Sequence, residues 1–241
     1  MIFESITKTG LKDIGKDNKI KNESILEILE NMGGEHSNKV GYGVFDMDKT
    51  GVSWILLEWK VKIIKRPLYA EKLKIKTWGR YFQRVYTYRD FEIYNSKGEL
   101  CIIATSKWAL IDINKRSIMR ISDEIKNVYE PEEITVFDEE TVEKIEIPDE
   151  FSNEIEYTVG RKDIDVNNHM HNTYYLNLAY EALPEEVYNN RPYDSLRITY
   201  KKEIQLGDTV KCKYAYTGKS HVIVIMNEEK NQLNAIIELG K

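Results

Sequence analysis

The densest run of side chains able to carry chemistry is Arg161-Lys162-Asp163-Ile164-Asp165-Val166-Asn167-Asn168-His169-Met170-His171-Asn172. Asp165, Asn167 and His169 stand at alternate positions, so an extended turn would point all three the same way. They supply a carboxylate base, an amide donor and an imidazole, enough for acyl transfer to water. The run leads from an expected strand, Ile155–Val159, to an expected helix start at Asn172. A helix start presents unpaired N–H groups and a partial positive charge, which suit a carbonyl oxygen becoming an oxyanion. Each residue also has a plain structural use: Asp165 can cap a turn, Asn167 or Asn168 can tolerate a left-handed backbone, and the histidines can sit on the surface. A metal held by Asp165, His169 and His171 is disfavoured, because His at i and i+2 share no helix face, and neither a metal nor a cofactor is expected. Other templates fail: no G-x-S-x-G elbow occurs, Gly218-Lys219-Ser220 has Lys213 where a phosphate loop needs glycine, and Gly41-Tyr42-Gly43 lacks a third glycine.

Two similar sets of elements must position these residues. In the first half, Asn22 is the expected cap of a helix with Ile25, Leu26, Leu29 and Met32 on one stripe, stopped by Gly33 and Gly34. In the second, Asn172 caps a helix that runs to Pro184 and is apolar nearly all round apart from Asn177 and Glu181, which implies burial on most sides. Strand-like segments follow each helix: Trp54–Ile64, Leu73–Trp78, Val85–Tyr94 and Leu100–Ile113, then Ser195–Ile204, Thr209–Tyr216, His221–Met226 and Leu233–Leu239. The pieces AEKLKIKTW and GDTVKCKYA hold the same place in each half. The pattern is an α+β unit used twice, each an antiparallel sheet around a buried helix. Between the halves, residues 122–150 hold twelve Asp/Glu against two Lys, a net of −10 within a chain total of −5, so the rest is net +5. This acidic stretch reads as a solvated linker between domains at 1–121 and 151–241.

The 241 residues, 41% hydrophobic and 31% charged, are enough to bury a core without staples. Cys101 and Cys212 form no CxxC pattern and suggest a reducing compartment. The opening MIFESITKTG resembles no secretion signal, and the longest apolar run, Val222–Met226, is far too short for a bilayer. The expectation is a cytoplasmic protein that binds neither membrane nor nucleic acid.

The chain resembles the acyl-acyl carrier protein thioesterases, the family typified by the plant plastid enzymes, over nearly its whole length. Asp163-Ile-Asp-Val-Asn-Asn-His169 is similar to the family's D-x-D-V-N-x-H loop, Tyr200-Lys-Lys-Glu203 to its Y-R-R-E segment, and Ala104-Thr-Ser-Lys-Trp108 to its A-T-S-x-W strand. The resemblance implies two tandem hotdog domains and a catalytic set of Asp165, Asn167, His169 and Glu203. It further implies hydrolysis of fatty acyl thioesters of acyl carrier protein, with an acyl pocket in the first domain, where Trp54, Trp59, Trp78 and Trp108 lie. Glu203 or Asp165, partly desolvated under the helix, would activate water or attack directly; His169 would orient Asp165 or protonate the leaving thiolate. Plant members often carry Cys after the Y-R-R-E glutamate. Here that position is Ile204, which favours a carboxylate mechanism, and Cys212 reads as a packed core residue. An acidic carrier calls for a basic face, and Lys60, Lys62, Lys72, Lys74 and Lys76 are candidates. Rival readings are a coenzyme A thioesterase, a hotdog dehydratase and a non-catalytic acyl-binding protein. A monomer and a homodimer are equally compatible.

Overall fold

The computed structural model describes residues 1–139, 141–165 and 168–240, with the backbone alone at Tyr81. It divides into two compact units, Met1–Val142 and Glu143–Lys241. Among the described residues no helix is long and apolar enough to cross a membrane.

Unit 1 contains β1 (Phe3–Lys8), α1 (Asn22–Lys39), the one-turn α2 (Met47–Thr50), β2 (Val52–Ile63), β3 (Lys72–Phe82), β4 (Tyr86–Tyr94), β5 (Leu100–Asp112), the short β6 (Ser117–Ile118) and α3 (Asp123–Tyr129). The sheet is antiparallel in the order β1-β3-β4-β5-β2, with β6 on β5. Alternation along the strands gives one buried face built in rungs: Ile75-Ile93-Ile102-Ile63, then Thr77-Phe91-Ala104-Val61, then Gly79-Arg89-Ser106-Trp59. Helix α1 packs on β3 and buries Ile25, Leu26, Leu29 and Met32, at about 1.5–3 kcal/mol per side chain. The expected stop at Gly33-Gly34 is wrong: the helix runs on to Lys39. Glycine weakens a helix by only about 1 kcal/mol, and the next turn is held by packing, since His36 and Ser37 are buried. Gly33 is buried too, with Arg89 lying against the place of its missing Cβ. Trp59 and Trp78 are fully buried in this core, whereas Trp54 and Trp108 are partly exposed.

Unit 2 repeats the plan with β7 (Asn153–Thr158), α4 (Asn172–Glu181), α5 (Glu185–Asn189), β8 (Ser195–Tyr200), β9 (Thr209–Tyr216), β10 (His221–Asn227) and β11 (Gln232–Gly240). Its strand order is β8-β11-β10-β9-β7, antiparallel throughout. Asn177 and Glu181 are exposed while Tyr175, Leu176, Leu178, Ala179 and Tyr180 are buried, as the periodicity requires. Both expected caps shift by one residue: Lys21 and His171 are the N-caps, and Asn22 and Asn172 begin the helices. Strand β8 ends at Tyr200 instead of Ile204, because the N–H groups of Lys201 and Lys202 both turn to the Asn234 carbonyl at 2.8 and 3.3 Å.

The acidic stretch 122–150 is not a free connector. Ser122 caps α3 by accepting from the Ile125 N–H at 3.3 Å, and Ile125 and Tyr129 pack against Leu110 and Ile121. Beyond it, Glu132 N–H donates to the Gly79 carbonyl, the Trp78 indole to the Ile134 carbonyl and Val136 N–H to Asp90, all within 3.0 Å. Further on, Ile145 joins Val222, Val224 and Ile236 in the core of unit 2. The stretch is a strap shared by the two units.

Candidate functional site

The loop before α4 is a tight reversal, not an extended turn. Gly160 begins a 3-10 turn, Arg161–Asp163, and its N–H donates to Asp163 Oδ2 at 2.8 Å. The Tyr157 hydroxyl donates to the same oxygen at 2.7 Å, and this bond raises its pKa to about 12. Ile164 and Met170 then face each other in an antiparallel bridge. Between them Asp165 N–H donates to the His169 carbonyl at 2.8 Å, and Asn168 adopts the left-handed φ of 62° that asparagine tolerates. Asp165 Oδ1 accepts the His169 N–H at 3.1 Å. The carboxylate thus takes part in holding the loop backbone, and the imidazole Nε2 reaches Glu203.

Glu203 arrives from the turn after β8. Met170 N–H donates to the Ile204 carbonyl at 2.8 Å, and His169 forms an antiparallel bridge with Gln205, so the two loops are laced together. The result is His169 Nε2 at 3.3 Å from Glu203 Oε1. Of the two carboxylates expected to be partly desolvated, Asp165 is half-buried, whereas the Glu203 side chain is 59% exposed and that of His169 34%. The pair is open to solvent and so to a substrate. Asn167 lies outside the described residues.

The helix start is less open than expected. The His171 Nδ1 accepts from the Thr173 N–H at 3.3 Å and lies 2.9 Å from its hydroxyl, and the His171 carbonyl takes the Tyr174 N–H. Sequence reasoning missed that capping histidine and two supports besides. Asn234 on β11, almost fully buried, donates to the carbonyls of Lys202 and Glu203 at 3.2 and 3.4 Å and fixes the turn that carries the carboxylate. Tyr175 on α4 lies close enough to Glu203 and Asp165 for their charges, after burial, to raise its pKa. Ile204 is fully buried, and burial pushes the Cys212 thiol up to about 12, so neither position offers a thiolate. Among the described residues no three His, Cys, Asp or Glu side chains converge as a metal set.

Unit 1 contains the same backbone device without the chemistry. Asp13 Oδ2 accepts Gly10 N–H at 2.7 Å, Ile14 bridges Ile20, Lys19 bridges Leu68, Ile20 N–H donates to the Pro67 carbonyl at 2.9 Å, and Asn18 has a φ of 61°. In that register Gly15, Lys19 and Arg66 occupy the places of Asp165, His169 and Glu203. Two basic residues stand where unit 2 has the imidazole–carboxylate pair.

Fold and site together define a duplicated hotdog protein with an imidazole–carboxylate pair beside the loop that leads into α4. Residues 2–129 match the acyl-ACP thioesterase N-terminal domain and residues 146–239 the C-terminal domain of the same family. The chain belongs to the acyl-ACP thioesterase family. It is 27% identical over 233 residues to oleoyl-acyl carrier protein thioesterase 1, chloroplastic, of Arabidopsis thaliana, covering 86% of this chain but only 64% of that protein. It is 24% identical over 216 residues to the palmitoyl-acyl carrier protein thioesterase of Cuphea hookeriana, covering 84% of this chain and 52% of the relative. Among solved structures, an acyl-ACP thioesterase from Bacteroides thetaiotaomicron and the 12:0-ACP thioesterase from Umbellularia californica each superpose with a TM-score of 0.86 at 18% identity, over 99% of this chain and 96% of theirs. These confirm the tandem hotdog fold.

Proposed function

We propose that the protein hydrolyses fatty acyl thioesters of acyl carrier protein to free fatty acid and carrier thiol. The observation that carries this reading is the 3.3 Å contact between His169 Nε2 and Glu203 Oε1 in a solvent-open loop of a thioesterase-family chain. Glu203 takes a proton from water, the oxygen attacks the thioester carbonyl, and the tetrahedral intermediate expels the thiolate, which is protonated to the thiol. His169 positions Glu203 and supplies the proton the thiolate takes. Expulsion is easy, since a thiol has a pKa of about 8.5. Asp165 is a positioning residue through the His169 N–H, and Asn167 is the candidate donor to the developing oxyanion. The acyl chain is assigned to the interior of unit 1, between α1 and its sheet.

Carrier docking is assigned to the outer face of β3. There Lys72, Lys74 and Lys76 line an open groove of 420 Å³ with Ile6, Tyr94 and Ser96. Glu4 already engages Lys74 at 2.8 Å and Lys76 at 3.9 Å, while Lys72 stands opposite Lys8. Lys60, on β2, is engaged by Glu139 at 2.8 Å, as Lys74 is by Glu4.

The test is thiol release from saturated acyl carrier protein thioesters by the wild type, Glu203→Gln and His169→Ala. Rapid release by the wild type that both variants lose supports the site. Release undiminished in both overturns the site, and no release at any chain length overturns the hydrolase.

A further inference from the structure

Two imidazoles share the loop face that carries Glu203, and the hydrolysis uses one of them. Residues 169–171 form the middle of three short antiparallel segments. On one side Met170 bridges Ile164, and the His171 N–H donates to the Asp163 carbonyl at 2.9 Å. On the other, His169 bridges Gln205, and the Met170 N–H donates to the Ile204 carbonyl at 2.8 Å. Counted from the His169–Gln205 bridge, the next pair on the same face is His171 with Glu203, because cross-strand neighbours alternate faces in step. The backbone of His171, at φ −59° and ψ 136°, is still extended. Burial agrees with the register. Met170 and Ile204, the intervening pair, are 3% and 0% exposed, whereas Glu203 and Gln205 are exposed and both histidines half-buried.

The bonds of His171 fix which proton it carries. The Thr173 N–H donates to Nδ1 at 3.3 Å, and the Thr173 hydroxyl lies 2.9 Å from the same atom. A backbone N–H can only donate, so Nδ1 accepts, the ring is neutral and its proton sits on Nε2. The two ring nitrogens point in nearly opposite directions, so Nε2–H is directed away from the helix start that Nδ1 caps. Among the described residues nothing accepts from it. Accepting at Nδ1 strengthens donation at Nε2, as in any chain of hydrogen bonds. The fold does not demand this ring. In unit 1 the same register places Lys21 opposite Arg66, and Lys21 begins α1 with no side-chain cap bond.

We propose that His171 is a catalytic residue whose neutral imidazole donates Nε2–H to the thioester carbonyl oxygen. The role rests on the hydrolase reading and adds a residue to it. As water activated by Glu203 attacks the carbonyl carbon, the carbonyl oxygen gains negative charge and accepts from Nε2–H. The proton stays on His171 throughout. A neutral imidazole at a helix start can polarise a carbonyl in this way. The bond strengthens as the charge grows, so it acts on kcat more than on substrate affinity. His169 serves Glu203 and the leaving thiolate, and His171 serves the carbonyl oxygen.

The test separates the two ring nitrogens. Thiol release from saturated acyl carrier protein thioesters is measured for the wild type, Glu203→Gln, His171→Asn and His171→Gln, beside thermal melts. Asparagine sets its amide oxygen near the place of Nδ1 and is a good helix cap, but nothing on it reaches the place of Nε2. Glutamine carries an N–H there and gives up the cap. His171→Asn is expected to melt within about 2 °C of the wild type and to lose about 10²-fold in kcat, with KM moved less than about threefold. His171→Gln should melt about 2–4 °C lower and keep kcat within about tenfold of the wild type. The reverse order, with full rate in His171→Asn and a loss in His171→Gln, makes His171 a cap alone and overturns the role. Release lost in Glu203→Gln but undiminished in His171→Asn overturns this role and leaves the hydrolase standing. No release by the wild type at any chain length overturns both. Where a variant fails to melt cooperatively, the wild type labelled with 15N-histidine decides. Its probe is the difluoroketone analogue of decanoyl-pantetheine, with CF2 in place of sulfur, which takes up water to a tetrahedral form. Binding should move the Nε2–H resonance of His171 downfield, and an unmoved resonance overturns the role.

Discussion

At the residue scale, the site combines a solvent-open imidazole–carboxylate contact with a loop backbone laced by hydrogen bonds. An exposed pair such as His169–Glu203 adds only about 0–1 kcal/mol to stability, so its loss should be visible in rate and not in folding. Glu203→Gln is expected to lower kcat for acyl carrier protein thioesters by about 10²- to 10⁴-fold while the thermal midpoint stays within about 2 °C. A matching loss of rate and of melting temperature would instead make Glu203 a structural residue. Cys212 should behave oppositely. It is fully buried on β9, so Cys212→Ser places a hydroxyl in an apolar core and should cost about 1–3 kcal/mol in urea unfolding. Thiol release by the folded fraction should be unchanged, and a kcat that collapsed in the folded protein would revive a thiolate mechanism. Both side chains were legible in the sequence as chemistry and as core. What was not legible is how the loop is held, because Asp165 accepts the backbone N–H of His169 and side-chain spacing says nothing about backbone bonds.

At the element scale, periodicity carried the reading far and chain reversals limited it. The stripe of α1 and the all-round burial of α4 followed from apolar spacing, because burial is what that spacing encodes. The length of α1 did not, since the contacts that keep it helical past Gly34 are made by His36 and Ser37 with residues far away in sequence: Arg89, Tyr129 and Phe3. The end of β8 and the position of Glu203 depend likewise on Asn234, whose sequence neighbourhood carries no signal. Asn234→Ala should therefore lower kcat by about tenfold or more through a mobile Glu203, with KM moved little. An unchanged kcat would show that the turn holds itself. The neutral His36 gives α1 a titration signature. Burial and then Arg89 keep its native pKa at about 3, while the unfolded imidazole titrates near 6.5. As pH falls below about 6.5 the unfolded chain gains a proton that the native protein does not bind until about pH 3, so stability is full above that window and declines through it. Urea unfolding at a series of pH values should show this slope in the wild type and a flatter one in His36→Gln. Identical slopes would mean that His36 is not held neutral.

At the scale of the whole molecule, duplication has separated tasks. The loop that carries Asp165, His169 and Glu203 in unit 2 carries Gly15, Lys19 and Arg66 on the same backbone in unit 1, so unit 1 has the frame without the imidazole–carboxylate pair. The charge is divided too. Twelve of the chain's 40 acidic residues fall within 122–150, where they lie along the strap, and the remainder is net positive with lysines alternating along β3. A partner of opposite charge would be steered there within a Debye length of about 8 Å at physiological salt. Lys72→Glu with Lys74→Glu is expected to raise KM for an acyl carrier protein thioester by about tenfold at low salt. The lysine of the second substitution already shares its charge with Glu4, so most of the effect should come from position 72. The same double variant should leave hydrolysis of the matching acyl-pantetheine ester unchanged, because that substrate offers the thioester without the protein. Raising the salt should bring the wild-type and variant KM values together. A KM that shifts equally for both substrates would place the effect in the acyl path and remove β3 as the docking face. A KM unmoved for either would leave its lysines as an ordinary solvated face of the sheet.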